Sequence, residues 1–357
     1  MAIRANVRHY YLEAYTPRGH ISLVPDVTEE CLCTYYLMGN TGLDKSTFIK
    51  MLGIQLSDRC YDVDYIRQAC DPDLLAGLFL PGSSVFIIDI NEFGREGAGD
   101  VSGGSLTADR SISDTPMSGR LTVRIDLEEC VYKAKWEERR QEIEDILARL
   151  EDLGRRREEQ LALEYPQGQE GDDHADFMEH KELPRFYQGL QGMGEMSCED
   201  LSTVLAIIKT NKVSFCFLHA LQGEGWTNCA TRYLRNFDRI CVDDEDSDEM
   251  WRTILDEIKS LGQRIEIVLH PIYPFRVIGI IFPWKSLALW RGNPVKLKEL
   301  GLKECHGPEL AAILEEMRRL RQRLKSLAHE CAGVQRLDEM RNDLIGHVLG
   351  QVRTADS

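Results

Sequence analysis

Apolar residues in this chain fall into short runs punctuated by Gly, Pro and acidic residues, and the same punctuation occurs twice. Residues 61–88, YDVDYIRQACDPDLLAGLFLPGSSVFII, align without a gap with residues 263–290, QRIEIVLHPIYPFRVIGIIFPWKSLALW, at an offset of 202. Pro72/Pro274, Gly77/Gly279, Pro81/Pro283 and Ser84/Ser286 coincide, and Val63/Ile265, Asp64/Glu266, Leu78/Ile280, Phe79/Ile281 and Val85/Leu287 are conservative pairs. Each copy reads as a strand, then Pro-x4-Gly followed by three apolar residues and Pro, then a second strand. Upstream, HYYLEAYTPRGHIS (9–22) matches FCFLHALQGEGWTN (215–228) more weakly, with Ala14/Ala220 and Gly19/Gly225 in register. The pattern predicts a duplicated chain.

Two long segments have helical spacing. In 133–165 the apolar positions are Trp136, Ile143, Ile146, Leu147, Leu150 and Leu153, with acid–base neighbours on the outer face. Residues 308–330 behave likewise and are followed by another helical stretch to about residue 352. Such stripes pack on their own domain or pair as a helical hairpin, and a protein partner bound through 133–165 or 308–345 is the alternative, since neither sustains a long heptad. The expected organisation is a first α/β domain over 1–165, an acidic linker over 166–190 and a second α/β domain over 191–357. Each is expected to be a mainly parallel sheet with helices on both faces and a charged helical extension. REGAGDVSGGSLTADRSISDTPMSGR (95–120) reads as a loose Gly/Ser-rich insertion or a flap over a site.

Composition narrows the classes. The chain has 357 residues and a net charge of −16, from 43 basic against 59 acidic residues. That balance argues against a nucleic acid or an anionic membrane surface held by bulk electrostatics, while leaving room for a small anion at a local positive site. No apolar run approaches the ~20 residues of a membrane span, and the start lacks a signal-peptide core, so the expected compartment is the cytoplasm. Eleven scattered Cys residues contain no C-x-x-C and read as buried reduced thiols rather than disulfides or a zinc site.

The candidate chemistry lies at 38–50, MGNTGLDKSTFIK, between the strand CTYYLM (33–38) and a helical pattern. Gly39, Lys45 and Ser46 stand where G-x-x-x-x-G-K-[ST] requires them, but Asp44 replaces the second Gly. Such a loop works because successive backbone N–H groups face phosphate oxygens while the Lys and the helix N-terminus add positive charge. The Asp44 carboxylate opposes that charge. At the corresponding place in the second half, after FDRICV (237–242), stand the six carboxylates of Asp243–Glu249, which suit a helix N-terminus but cannot cradle phosphate. His9, His219 and His270 read as structural, because no Cys or acid accompanies them at metal spacing.

Order and spacing supply a resemblance. Ala14, Thr16, Pro17 and Gly19, then Gly39 to Thr47, then Asp71, Pro72, Asp73, Leu75, Gly77 and Pro81, then Asp89 together resemble an uncharacterised bacterial family of tandem P-loop ATPase-like proteins. That resemblance covers both halves and implies two P-loop NTPase-like domains in one chain, with ATP as ligand and Mg²⁺ as its companion. It assigns Gly39, Asn40, Thr41, Gly42, Lys45, Ser46 and Thr47 to the nucleotide, Lys45 to the β/γ-phosphates, and Ser46 and Asp89 to the metal, with Asp89 in the Walker B role. This chain departs from the family at Asp44, at the acidic second loop and after Asp89. Two functions follow as expectations: adenine-nucleotide binding at the N-terminal loop with weak or lost hydrolysis, or a pseudo-NTPase scaffold that binds another protein.

Overall fold

The structure, a computed structural model, describes residues 5–17, 19–39, 45–89, 120–166, 207, 211–223, 225–242, 253–254, 257–258, 261–274 and 276–355. The expected flap at 95–120, apart from Arg120, most of the linker at 166–190 and the acidic run at 243–249 lie outside the described residues. The fold is mixed α/β. Its strands are β1 (Val7–Tyr11), β2 (Glu13–Thr16), β3 (Gly19–Ser22), β4 (Cys33–Met38), β5 (Val63–Arg67), β6 (Leu75–Leu80), β7 (Val85–Asp89), β8 (Leu121–Asp126), β9 (Lys212–Cys216), β10 (His219–Gln222), β11 (Gly225–Asn228), β12 (Asp238–Val242), β13 (Arg264–Leu269), β14 (Val277–Phe282) and β15 (Leu287–Arg291). The helices among the described residues are α1 (Val24–Glu30), α2 (Lys45–Ser57), α3 (Lys133–Glu164), α4 (Ala230–Tyr233), α5 (Pro308–Cys331) and α6 (Val334–Ala355).

The larger sheet runs β1-β5-β6-β7-β4-β8 and the other runs β12-β15-β14-β13-β9. Read in opposite directions, they are the same sheet with one strand added. The pairs β5/β6 and β6/β7 are antiparallel and β4/β7 parallel, and so are β13/β14, β14/β15 and β12/β15 respectively. Register agrees residue by residue at the offset of 202. Asp64 faces Phe79 and Glu266 faces Ile281, Gly77 faces Ile88 and Gly279 faces Trp290, and both β5 and β13 shift register one step before their last paired residue. Ser84 and Ser286 close the second turn of each copy with left-handed backbone, φ 52° and 50°.

The expectation of mainly parallel sheets is corrected here. Seven residues join β5 to β6 and four join β6 to β7, whereas a parallel connection needs a crossover of a dozen or more. The Pro-x4-Gly segment and the Pro-x2-Ser turn can only reverse the chain, so the centre of each sheet is antiparallel. Strand β8 lies parallel to β4 and has no counterpart beside β12 among the described strands.

By contacts the chain forms two compact units, interleaved rather than consecutive: residues 1–9, 27–157 and 312–357, and residues 10–26 and 158–311. In the first unit the apolar runs of β4 to β7 pack under α2 and α6. Tyr35, Leu37, Val85 and Ile87 from the sheet, Ile49, Leu52 and Leu56 from α2, and Leu344, Ile345, Val348 and Val352 from α6 share one core, each aliphatic side chain so buried contributing about 1.5–3 kcal/mol. Helix α2 ends in a Schellman turn: Tyr61 N–H donates to Leu56 O at 3.2 Å and Cys60 N–H to Ser57 O at 2.9 Å, with Cys60 left-handed at φ 67°.

The stripe on α3 is spent inside the first unit. Ile143 and Ile146 pack with Leu324 and Leu327 of α5, flanked by Trp136, Leu147 and Leu150, and Leu153 packs with Ile313 and Met317. Arg149–Glu316 (2.9 Å) and Arg323–Glu142 (2.6 Å) bind the outer edges and fix the two helices antiparallel.

In the second unit two hairpins repeat each other. Glu13↔Ser22 to Thr16↔Gly19 in β2/β3 correspond, at an offset of 206, to His219↔Asn228 to Gln222↔Gly225 in β10/β11. The next turn repeats too, since Ser22 Oγ accepts from Val24 N–H (3.3 Å) and Asn228 Oδ1 from Ala230 N–H (2.6 Å). The aligned residues Tyr11 and Phe217 exchange both backbone hydrogen bonds, each 2.9 Å.

Candidate functional site

Strand β4 delivers the chain to Gly39, whose φ of 114° is open to glycine and strained for any other residue. Asn40, Thr41, Gly42 and Asp44, expected to supply and to oppose the phosphate nest, lie outside the described residues. The description resumes at Lys45, the first residue of α2. Its side chain is 2% exposed and Nζ donates to Asp89 Oδ1 at 2.7 Å. Asp89 is the last residue of β7 and sits beside Leu37 in the parallel β4/β7 ladder. A lysine at a helix start thus meets an acid at the end of the neighbouring parallel strand, with both side chains buried. The pair is self-neutralising, each charge offsetting part of what the other loses on leaving water.

Ser46 is engaged as well. Its Oγ accepts the backbone N–H of Leu75 at 2.8 Å, tying the first turn of α2 to the start of β6. Thr47 is exposed on the same turn. Of the residues assigned by resemblance, the structure therefore brings Lys45, Ser46 and Asp89 together at the ends of β4 and β7 and the start of α2. The donor set, one hydroxyl and one carboxylate beside an ammonium, fits Mg²⁺ and phosphate in kind. Lys45 and Asp89 hold each other and would have to exchange that contact for a ligand, whereas Ser46 Oγ keeps its O–H and a second lone pair beside the bond from Leu75. Among the described residues no group of three or more His, Cys, Asp or Glu side chains is placed to hold a metal ion, and no helix is long and apolar enough to cross a membrane.

The second unit presents the opposite charge at the matching position. Val242 pairs with Arg291 in the β12/β15 ladder as Leu37 pairs with Asp89 in β4/β7. The offset of 202 that relates the two copies carries Asp89 to Arg291. Where the first copy has a basic loop residue and an acidic strand end, the second has a loop sequence of six carboxylates and a basic strand end. Extending the sequence alignment by one residue beyond 88/290 exposes this reversal.

Sequence reasoning missed the buried partners of the aligned acids. Asp64 takes a bidentate ion pair from Arg8, with Nε to Oδ1 at 2.8 Å and Nη2 to Oδ2 at 2.5 Å. Its counterpart Glu266 instead accepts Tyr233 O–H at 2.5 Å. The conservative Asp/Glu pair marked the position, and the partners come from different elements, β1 for Asp64 and α4 for Glu266.

The histidines are structural, as their isolation in the sequence implies. His270 Nδ1 accepts N–H bonds from Ile272 (3.1 Å) and Tyr273 (3.0 Å), so Nε2 carries the proton and donates to Leu300 O at 2.7 Å. His219 Nε2 donates to Pro294 O at 3.1 Å. Burial pushes His270 down to about 3 and His219 down to about 4, which keeps both neutral and unsuited to acid–base work near neutrality. His9 stacks on Tyr65 with ring centres 5.0 Å apart.

Comparison with protein-family models, with curated proteins and with solved structures returns no match.

Proposed function

We propose that the chain is a tandem P-loop ATPase-like protein whose N-terminal loop binds Mg²⁺·ATP weakly and whose hydrolysis is slow or lost. The observation that carries this reading is the Lys45–Asp89 pair at 2.7 Å. A lysine opening the helix after a Gly-containing loop, facing an acid that ends the adjacent parallel strand, is the arrangement phosphate-loop chemistry uses. Here the two groups neutralise each other. On binding, Lys45 would turn from Asp89 to the β/γ-phosphates, Ser46 and Asp89 would hold Mg²⁺, and the ion would neutralise phosphate charge.

The closed pair also supports the impairment. A nucleotide must break a buried ion pair, and it must accept the Asp44 carboxylate beside its phosphates. The carboxylate alone costs about 1–4 kcal/mol at partly exposed dielectric values, roughly a tenfold to thousandfold loss of affinity. Calorimetric titration with Mg²⁺·ATP is the test. Weak binding is expected, strengthened by Asp44→Gly and abolished by Lys45→Ala. Absence of both heat and thermal shift at millimolar nucleotide, in wild type and Asp44→Gly alike, would sink it.

A second reading, a pseudo-NTPase scaffold for another protein, is favoured by the reversed charge at Arg291. With acids in its loop, the second copy is unfit for an anion. Either reading fits a cytoplasmic protein and requires neither nucleic acid nor membrane.

A further inference from the structure

Two buried acceptors confront each other in the second unit, where α3 ends and α5 begins. Glu164 closes α3, and its Oε1 accepts the N–H of Gly307 at 2.6 Å. Gly307 in turn caps α5, its carbonyl accepting the Ala311 N–H at 3.0 Å. His306, the residue before it, has a side chain 0% exposed and donates from Nε2 to Gly225 O at 2.8 Å. With the proton on Nε2, Nδ1 of the neutral ring is an acceptor. Burial holds the imidazole below its ordinary value, which keeps it neutral near pH 7. The Glu164 side chain is 10% exposed, and its Oε2 lies 3.8 Å from His306 Nδ1. Neither atom receives a hydrogen bond from a described residue.

A separation of 3.8 Å is too long for a direct bond, and two acceptors have no proton to share. It suits one small molecule lying about 2.8 Å from each. That molecule must offer two protons and be about the size of water, because both acceptor atoms are closed to solvent. Charge argues against a cation. Lys303 Nζ already stands 3.9 Å from Oε2 and 5.3 Å from the centre of the Tyr165 ring, so the carboxylate has its counter-charge. Two protein donors are also too few for a zinc site.

We propose that this gap binds one internal water molecule, which donates one O–H to Glu164 Oε2 and the other to His306 Nδ1. The water thereby ties the last residue of α3 to the residue preceding the cap of α5. A buried acceptor left bare is costly, and a small polar gap with two partners meets the requirement for a structural water. The proposal does not depend on nucleotide, so failure of ATP binding leaves it standing.

The full chain supplies the test in two ways, both near neutral pH. A crystal structure sharp enough to show ordered solvent is expected to place a water within about 2.6–3.2 Å of both Glu164 Oε2 and His306 Nδ1. In solution, nitrogen-15 NMR of the imidazole is expected to show His306 as the neutral Nε2–H tautomer. Its carbon-bound ring protons are expected to give NOE and ROE cross-peaks to water of opposite sign, the signature of a water that tumbles with the protein. An Nδ1–Oε2 contact shorter than about 3.2 Å overturns the proposal, as does a doubly protonated imidazole, since either lets His306 donate straight to Glu164. A gap without a solvent peak in well-ordered density overturns it too. So does a peak whose anomalous signal marks a metal ion, which would give the site to a cation.

Discussion

Replacing Lys45 by Met tests whether the candidate site is held shut by its own charges. The two side chains are 2% and 6% exposed and their charged atoms lie 2.7 Å apart. Methionine fills most of the lysine's volume but leaves the Asp89 carboxylate buried without its cation, a change that costs about 3–5 kcal/mol. Removing both charges, in Lys45→Met/Asp89→Leu, leaves no unpaired buried charge and is expected to lie within about 1–2 kcal/mol of wild type, or above it. Asp89→Leu alone, which leaves the Lys45 ammonium buried without its anion, is expected to cost a similar amount, so the cycle gives a coupling of at least about 4 kcal/mol. Urea titration reads it, with far-UV circular dichroism alongside the fluorescence of Trp136, which belongs to the first unit. With slopes of about 1–3 kcal/mol per molar urea, the single variant should lose more than about 1 M in midpoint. A single variant that loses less than about 1 kcal/mol, or a double variant as damaged as the single, would refute the claim that this pair locks the site.

Three further outcomes are expected. Acidification should destabilise the second unit, because His219 and His270 are held neutral from an ordinary value of 6.5. Above pH 6.5 neither state binds these protons; below it the unfolded chain takes them up and the folded chain does not, so stability falls by about 1.4 kcal/mol per pH unit per histidine. The loss levels off below about 4 for His219 and about 3 for His270. His270→Gln, which installs the residue found at the aligned Gln68, should flatten the melting temperature between pH 7 and pH 4.5, and an unchanged slope would count against the assignment. Cys60→Gly should raise stability by about 0.5–1 kcal/mol by relieving a left-handed residue in the Schellman turn, and a lower melting temperature would contradict it. Gly77→Ala and Gly279→Ala should each cost about 1–3 kcal/mol, since the new Cβ would stand 2.8 Å from Ile87 O in one copy and 2.8 Å from the buried Trp290 ring in the other; chemical denaturation showing no loss in either would remove the packing reason for the shared glycine.

What the sequence determined by itself was whatever depends on neighbours along the chain. The punctuation Pro72, Gly77, Pro81, Ser84 and its copy at 274–286 dictated two equivalent strand sets, because turn geometry and close backbone approach are local demands. The stripe from Trp136 to Leu153 likewise announced a packed helix. Lys45 and Asp89 were each legible as site candidates, since motif and strand end carry their own signals, and the structure pairs them. Strand direction was open to the same reading, through connections too short for a crossover, although the expectation favoured parallel sheets. Only the tertiary structure decided which distant groups meet. Arg8 finding Asp64, Tyr233 finding Glu266 and Leu75 occupying Ser46 have no sequence spacing to betray them, because burial couples whichever polar groups the packing leaves together. Equally, nothing in the residues of β12 foretold that Ile240 would be exposed where its counterpart Tyr35 is buried beneath α6. The helix over Tyr35 comes from residues 334–355, far away in the sequence, so no local pattern links the two.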